Sequence, residues 1–315
     1  MQTKVSEDLI DVAQPVLSIV TPSLNHGRFL RQTIESVAAQ TFRNFEHIVV
    51  DGGSTDGTVE ILKEFPHVRW ISERDEHVVE AYQKALAMAR GRYIIQCCVS
   101  DGFLDLNWFR KCVEILEKDE EVSLVWGFAQ TMSEDGDLLN VCFQDFFTDP
   151  PPQKQDSLAF WLASGFPLPE GNYCVRSEVL RTWFPDRQSS DWFRTCPHLG
   201  FMYRFFTQGY NPYFIPVVAN FGRLHHDQRS QRLSDVEKPG QVAYLKAVKE
   251  YGKSILRGST IHRFRDGKSQ VVGQIQPQDL PSLRRKMWRH RLLRSRFVRL
   301  DPYTLVLKLK ERIFC

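Results

Sequence analysis

Three aspartates carry the first chemical signal in this chain. Asp51 closes the apolar run His47-Ile48-Val49-Val50 and opens Gly52-Gly53-Ser54-Thr55-Asp56-Gly57. Asp75 ends Ser72-Glu73-Arg74-Asp75, just past the run Val68-Arg69-Trp70-Ile71. Asp101 lies in Ser100-Asp101-Gly102, after Tyr93-Ile94-Ile95-Gln96-Cys97-Cys98-Val99. One aspartate after a strand is ordinarily a turn or cap residue. Three at the carboxyl ends of parallel strands converge on the edge where such sheets take their ligands. That set suits a nucleotide with a divalent cation, because hard cations take oxygen ligands and bridge phosphates. At Asp51 the carboxylate can hydrogen-bond a base or ribose while the glycines let a ligand approach the backbone.

The elements that must hold these carboxylates are legible around them. Val16–Val20 reads as a buried first strand running into Thr21-Pro22-Ser23-Leu24-Asn25, and His47–Val50 as a second. Apolar runs of this length between Gly, Pro and Ser are strand signals. Between them Phe29, Ile34, Val37 and Ala38 fall near helical spacing, which makes a βαβ unit. A helix over 58–65, a strand over 68–71, a helix over 77–90 stopped by Gly91, a strand over 93–99, a helix over 106–118 and a strand over 122–128 continue the alternation. Asp135-Gly136 predicts a hairpin turn before a strand over 138–143. Residues 149–169, rich in Pro and aromatics, read as an ordered loop over a site. Further on, strands are expected over 173–175 and 212–221 and helices over 177–183, 201–209 and 241–251, while 252–278 is ambiguous.

Bulk composition bounds the class. The chain has 315 residues, 42% hydrophobic and 25% charged, ordinary for a globular protein. The net charge of +3 hides an asymmetry: from Pro281 to Cys315 there are eleven Lys/Arg against two acids. Seven cysteines, an odd number without CxxC or zinc spacing, read as reduced thiols of a cytosolic protein. Met1–Gln14 is polar and lacks the apolar core of a signal peptide, and no stretch reaches the roughly 18 apolar residues of a membrane span.

The segments SIVTPSLNHGRFLRQTIESVAAQTFRNFEHIVVDGGSTDGT, SERDEHVVEAYQKALAMARGRYI, SDGF and LVWG resemble a family 2 glycosyltransferase with the GT-A fold. The resemblance is strong over the opening third of the chain and weaker to about Ser230. It implies an α/β, Rossmann-like, mostly parallel sheet flanked by helices, here with a C-terminal helical, basic extension. The expected organisation is a leader over 1–14, a nucleotide-sugar-binding half over 15–130, an acceptor-binding half over 131–235 and the extension over 236–315. It also implies an enzyme moving a sugar with inversion from a nucleotide-sugar donor, most often a UDP-sugar, to a glycan or lipid-linked hydroxyl in surface polysaccharide or lipopolysaccharide synthesis.

Carried over residue by residue, Thr21 and Pro22 begin the loop beside the nucleotide, Asp51 contacts the base, and Asp75 lies near nucleotide and metal. Ser100-Asp101 opens the acidic metal motif for Mn²⁺ or Mg²⁺, with Asp101 as the ligand. The chain departs at the next position, where Gly102 replaces the usual second acid; Asp101 would then act alone, or with Asp105 after a small shift. A catalytic base is expected a few residues before an aromatic-x-Arg helix. Counting back from Arg204 reaches His198, while the nearest acid is Asp191; Glu170, in a polar turn, is a third candidate. Asp191 also reads as a helix N-cap ahead of Trp192. Arg223 and His225 resemble a late Arg-x-His segment that folds over the diphosphate as a lid.

The basic tail interleaves Arg284, Arg285, Lys286, Arg289 and Arg291 with Met287, Trp288, Leu292 and Phe297. A basic amphipathic helix of this kind suits an anionic membrane surface, hence a cytoplasmic chain peripheral on the cytoplasmic face. Nucleic acid is not expected as a partner, since no recognition motif accompanies the charge. Gly102 and the unsettled base also admit a GT-A-like nucleotide-binding scaffold that has lost catalysis. A nucleotidyltransferase fits less well, because Thr21–Asn25 is not a Gly-rich basic loop.

Overall fold

A computed structural model describes residues 14–142, 155–165, 168–169, 171–228, 234–254, 260–265, 268–274, 281–282 and 284–289. The opening unit is β1 (Leu17–Ser23), α1 (Gly27–Ala38) and β2 (Phe45–Asp51), followed by α2 (Thr58–Lys63), β3 (Val68–Ser72), α3 (Val78–Met88) and β4 (Tyr93–Gln96). β1 pairs in parallel with β2 and β4, and β2 with β3. The four strands therefore send their carboxyl ends to one edge, as βαβ connections require.

The remaining elements extend the sheet. They are β5 (Gly102–Phe103), α4 (Trp108–Lys118), β6 (Val122–Met132), β7 (Leu138–Cys142), α5 (Gln155–Ser164), β8 (Cys174–Arg176), α6 (Ser177–Trp183), α7 (Asp191–Thr195), α8 (Pro197–Thr207), β9 (Asn211–Arg223) and α9 (Ser234–Ser254). Among the described residues the sheet runs β3-β2-β1-β4-β8-β6-β9-β5, with β7 beside β6. β8 joins β4 and β6 antiparallel, β6 and β9 are parallel, and β5 meets β9 antiparallel. The sheet is thus parallel from β3 through β4 and mixed beyond β4.

Strand alternation explains the two-sided burial. Leu17, Ile19, Tyr93 and Ile95 face Trp108, Phe109 and Cys112 of α4. Val20, Ile48, Val50 and Ile94 face a larger core with Val79, Tyr82 and Leu86 of α3, Trp161 of α5 and Phe201 and Phe205 of α8. In α1 the buried positions Phe29, Leu30, Thr33, Ile34 and Val37 form one stripe.

Several expectations shift here. The strand expected over 93–99 stops at Gln96, and the short β5 follows it. Residues 155–164, read as part of a loop over a site, form α5, and Trp161 is fully buried in the core beneath the sheet. Helix packing, not a loop, accounts for the burial of Trp161. The ambiguous 252–278 region contains the hairpin of β10 (Thr260–Arg265) and β11 (Lys268–Gln274), docked by Phe264 donating to Glu120 O and by Arg263 on Glu121. Cys97, Cys98, Cys112, Cys174 and Cys196 are free thiols. Of the basic tail, 281–282 and 284–289 are helical; residues from 290 onward, with the leader 1–13, lie outside the described residues. No helix among the described residues is long and apolar enough to cross a membrane.

Candidate functional site

The register places Ser23, Asp51 and Ser72 in one row at the carboxyl ends of β1, β2 and β3. Asp51 is fully buried. Its Oδ2 accepts from Gly53 N (3.2 Å), Ser54 N (2.9 Å) and Ser72 Oγ (2.6 Å), and its Oδ1 from Ser54 Oγ. Four donors, three from the Gly53-Ser54 loop and one from Ser72 on β3, therefore hold this carboxylate, three of them on Oδ2. In this conformation Asp51 shapes the wall of the site. The loop is laced to the one after β1: Asn25 N donates to Ser54 Oγ (2.7 Å), Thr55 N to Asn25 Oδ1 (2.9 Å), and Gly27 N to Asp56 Oδ2 (2.8 Å). Asn25 takes a left-handed φ of 54° to make these contacts. Thr21 and Pro22 are buried in β1, with Thr21 Oγ1 3.0 Å from His47 Nε2. Burial, with His67 nearby, pushes His47 down to about 3, so the ring is neutral.

Asp75 stands against the same wall. Its Oδ1 holds Lys84 Nζ at 2.5 Å, and Lys84 also pairs with Glu73 at 2.8 Å. Its Oδ2 is buried without a hydrogen-bond partner and would lie 3.4 Å from a Cβ built on Gly52, beside half-exposed Leu24. Burial lifts the Asp75 carboxyl above the ordinary range, against the pull of Lys84. An orphaned carboxylate oxygen facing a glycine is an acceptor waiting for a donor.

Asp101 is held on the next strand end by a strained turn. Ser100 has a φ of 87°, a left-handed backbone that a non-glycine residue adopts at a cost of order 1 kcal/mol or more. Thr33 of α1 pins it: Thr33 Oγ1 accepts from Ser100 N (3.2 Å) and donates to Asp101 O (2.7 Å). Asp101 Oδ1 accepts from Arg223 N at 3.2 Å. A Cβ on Gly171, whose φ is +89°, would meet Asp101 Oδ2 at 3.4 Å.

Gly102 explains the missing second acid. A Cβ there would come within 2.6 Å of Ser36 Oγ and 2.7 Å of Phe221 Cζ, because β5 lies against β9 with Gly102 opposite Phe221. No side chain fits. Asp105 does not substitute: it bonds Lys111 Nζ (2.5 Å) and Asn107 N (2.9 Å), which commits it to the start of α4. Among the described residues no group of three His, Cys, Asp or Glu side chains converges to hold a metal. A cation bound here would have Asp101 as its protein carboxylate, a set that fits a Mg²⁺-type site completed by phosphate and water.

The late Arg-x-His segment packs on α1 and the β6–β7 turn, with Arg223 Nε and His225 Nδ1 buried without partners. Arg223, 3% exposed, donates from Nη1 to Ser133 O (3.0 Å) and Glu134 O (2.9 Å) and from Nη2 to Gln32 Oε1, and lies over Phe29 at 4.8 Å. His225 packs on His26 and Phe29; burial, then His26 and Arg28, push it down to about 4. Glu134 binds Arg28 (2.7 Å) and His226 (3.1 Å), and the His226 hydrogen bond holds its carboxyl down at about 2. The segment is thus fastened to α1 and to the β6–β7 turn.

Of the candidate bases, Asp191 begins α7, with Ser190 O taking the first helical bonds from Phe193 N (2.9 Å) and Arg194 N (3.2 Å); the cap position falls to Ser190, not Asp191. His198 lies half-buried in the first turn of α8, the helix that carries Arg204. Glu170 lies outside the described residues. Arg204 reaches back to Trp183 O (3.2 Å) and Ser189 Oγ (3.1 Å) and covers Phe193 at 4.6 Å, so it fixes the segment bearing Asp191.

Sequence reading missed Thr33, Lys84, Asn172 and Asn220. Asn172 and Asn220 are buried with Oδ1 unpaired; an asparagine inside the apolar run Val217-Val218-Ala219-Asn220-Phe221 was the available signal.

The chain is similar to chondroitin synthase of Escherichia coli, 32% identical over 130 residues, which is 40% of this chain and 19% of that protein. It therefore spans about a fifth of that relative's length. Its fold is that of S. aureus TarS 1–349, solved with UDP-GlcNAc (TM-score 0.53, 14% identity, 77% of this chain and 73% of that one). The same fold occurs in the mannosyltransferase PcManGT of Pyrobaculum calidifontis, solved with GDP-Man and Mn²⁺ (TM-score 0.54, 15% identity, 96% and 81%). Residues 18–162, which hold Asp51, Asp75 and Asp101, match the model of glycosyl transferase family 2.

Proposed function

We propose that this chain is an inverting glycosyltransferase that moves a sugar from a nucleotide-sugar donor, a UDP-sugar in our reading, to a hydroxyl of a glycan or lipid-linked acceptor in surface polysaccharide or lipopolysaccharide synthesis. The observation that supports it is that Asp51 at the end of β2, with Asp75 and Asp101 in the loops that follow β3 and β4, lies on the carboxyl side of the parallel strands inside the segment matched to the family. The likeness to a chondroitin synthase supports a polysaccharide product, and the two structures of like fold, solved with UDP-GlcNAc and GDP-Man, support a sugar nucleotide. The division into a donor half over 15–130, an acceptor half over 131–235 and an extension remains part of this proposal.

In this reading the Asp51 loop and Thr21-Pro22 form the wall beside the base, and Asp75 Oδ2 takes a hydrogen bond from base or ribose. A divalent cation, Mn²⁺ or Mg²⁺, would take Asp101 as its protein carboxylate and offset the charge of the diphosphate. The acceptor hydroxyl attacks the anomeric carbon in line while Asp191 takes its proton; the bond from that carbon to the diphosphate oxygen breaks and the nucleotide leaves. His198 and Glu170 are the other bases considered, and the Arg204 contacts that fix residues 189–193 favour Asp191. Arg223 and His225 order the lid over Asp101. Asp101→Asn should lower donor turnover by about 10²–10³-fold, as loss of a preorganised charge-stabilising group does; full turnover by this variant refutes the assignment.

The basic helix belongs to the same proposal. Trp288 is 67% exposed beside exposed Arg284, Arg285 and Arg289, while Met287 packs on the core and Lys286 pairs with Asp156. An outward tryptophan among arginines suits a peripheral contact with an anionic membrane on the cytoplasmic face.

A further inference from the structure

An open-mouthed pocket of about 360 Å³ lies between α3 and the loop before α7, lined by Glu80, Gln83, Lys84, Asp186, Arg187 and Gln188. We propose that it is an acceptor subsite that grips one hydroxyl-rich saccharide unit and presents it beside Asp191. This rests on the transferase reading above and names the part of the acceptor that this chain holds.

The lining decides the ligand class. Two acids face two cations and two amides, so the pocket has no net pull on a phosphate or carboxylate. Carboxylates, amides and a guanidinium are what hydroxyl groups pair with, since each hydroxyl both donates and accepts. The volume is at the small end of ligand pockets, roughly 300–1,000 Å³, which suits a sugar unit better than a whole sugar nucleotide.

The pocket is built, not incidental. Glu80 is 5% exposed, accepts from Glu76 N (3.1 Å) and Arg187 Nη2 (2.7 Å), and keeps a buried Oε1 without a partner. Arg187, 64% exposed, reaches over it from the loop. Gln83 Nε2 donates to Pro185 O (2.7 Å), and Asp186 Oδ1 accepts from Gln188 N (3.1 Å) and Ser189 Oγ (2.9 Å), so helix and loop are fixed relative to each other.

Its placement decides the substrate. Lys84 extends from the pocket to Asp75 at the proposed donor edge. On the other wall, Asp186–Gln188 precede Asp191 by only a few residues, and Arg204 ties the intervening Ser189. A saccharide seated here would touch Lys84, which reaches the proposed donor edge, and the loop that leads into the helix bearing the proposed base.

The test uses the full chain on an array of defined oligosaccharides, together with thermal shifts in UDP- and GDP-sugars. The native chain should bind a subset of the glycans. Arg187→Ala, and separately Gln188→Trp, which fills the mouth, should each weaken that binding by about tenfold or more and leave the nucleotide-sugar shift unchanged. Native binding to no glycan, or equal binding by both variants, overturns the subsite. Glycan binding that needs Arg187 while no nucleotide sugar shifts the native chain leaves the subsite standing and overturns the transferase reading instead.

Discussion

Restoring the missing acid by Gly102→Asp should damage the fold rather than complete a metal site. The new Cβ would lie 2.6 Å from Ser36 Oγ and 2.7 and 2.8 Å from Phe221 Cζ and Cε1, and Phe221 is only 3% exposed. Overpacking of this kind costs about 1–3 kcal/mol, and a carboxylate forced against a phenyl ring adds about 1–3 kcal/mol of desolvation. The expected loss is about 3 kcal/mol or more, or a fall of roughly 6–12 °C in Tm for a domain of this size. Urea and thermal unfolding of Gly102→Ala, Gly102→Asp, Phe221→Ala and the Gly102→Asp/Phe221→Ala pair separate the causes. Gly102→Ala should lose about 1–3 kcal/mol from sterics alone. Removing the ring should make the acid cheaper, so the double variant should be more stable than the sum of the singles by about 1 kcal/mol or more. Gly102→Ala and Gly102→Asp within about 0.5 kcal/mol of the native chain, or an additive cycle, would refute the steric account of the absent ligand.

Other consequences follow from the same contacts. Asp51→Ala, which strands two backbone N–H groups and two hydroxyls, should cost about 3–5 kcal/mol by urea unfolding, whereas Asp51→Asn should cost under about 2 kcal/mol; an alanine variant as stable as the native chain would remove Asp51 as the anchor of its loop. Folding should also weaken in mild acid. His225 stays neutral until about 4 when folded but gains its proton near 6.5 when unfolded, so the unfolded state binds more protons as pH falls through that window. His47 acts in the same direction down to about 3, and Glu134, held at about 2, withdraws its contribution as pH falls below 4.5. The Tm of His225→Phe, which keeps the ring packing, should fall less steeply than the native Tm between pH 6.5 and 4; parallel slopes would contradict this.

Much of the β1–β4 half was legible because local chemistry and global topology agree there. Apolar runs flanked by turn residues became β1, β2, β3 and the start of β4, and Asp51, Asp75 and Asp101 stand at or past their ends. What escaped depends on contacts distant in sequence. Nothing near Gly102 announces that Phe221, over a hundred residues on, fills its side-chain space. Thr33 is an ordinary position on α1 until the fold brings it under the Ser100–Asp101 turn. The contacts of Arg223 Nη1 and Nη2 with Ser133, Glu134 and Gln32, all distant in sequence, could not be read from the Arg-x-His motif. The helix over 155–164 was read as a loop, since the composition of 149–169 gives no helical stripe to read.

The central claim is that the carboxyl edge of β1–β4 binds a nucleotide sugar through Asp75 and Asp101. A thermal-shift panel of UDP- and GDP-sugars, with and without Mn²⁺, tests it most directly, because a ligand held only by the folded state raises Tm; at a hundredfold excess over Kd the gain is about 2.7 kcal/mol. The account predicts that one nucleotide sugar raises the native Tm by several degrees and that Asp75→Ala and Asp101→Ala each abolish the rise. No shift with any nucleotide sugar, or an undiminished shift in both variants, would contradict it.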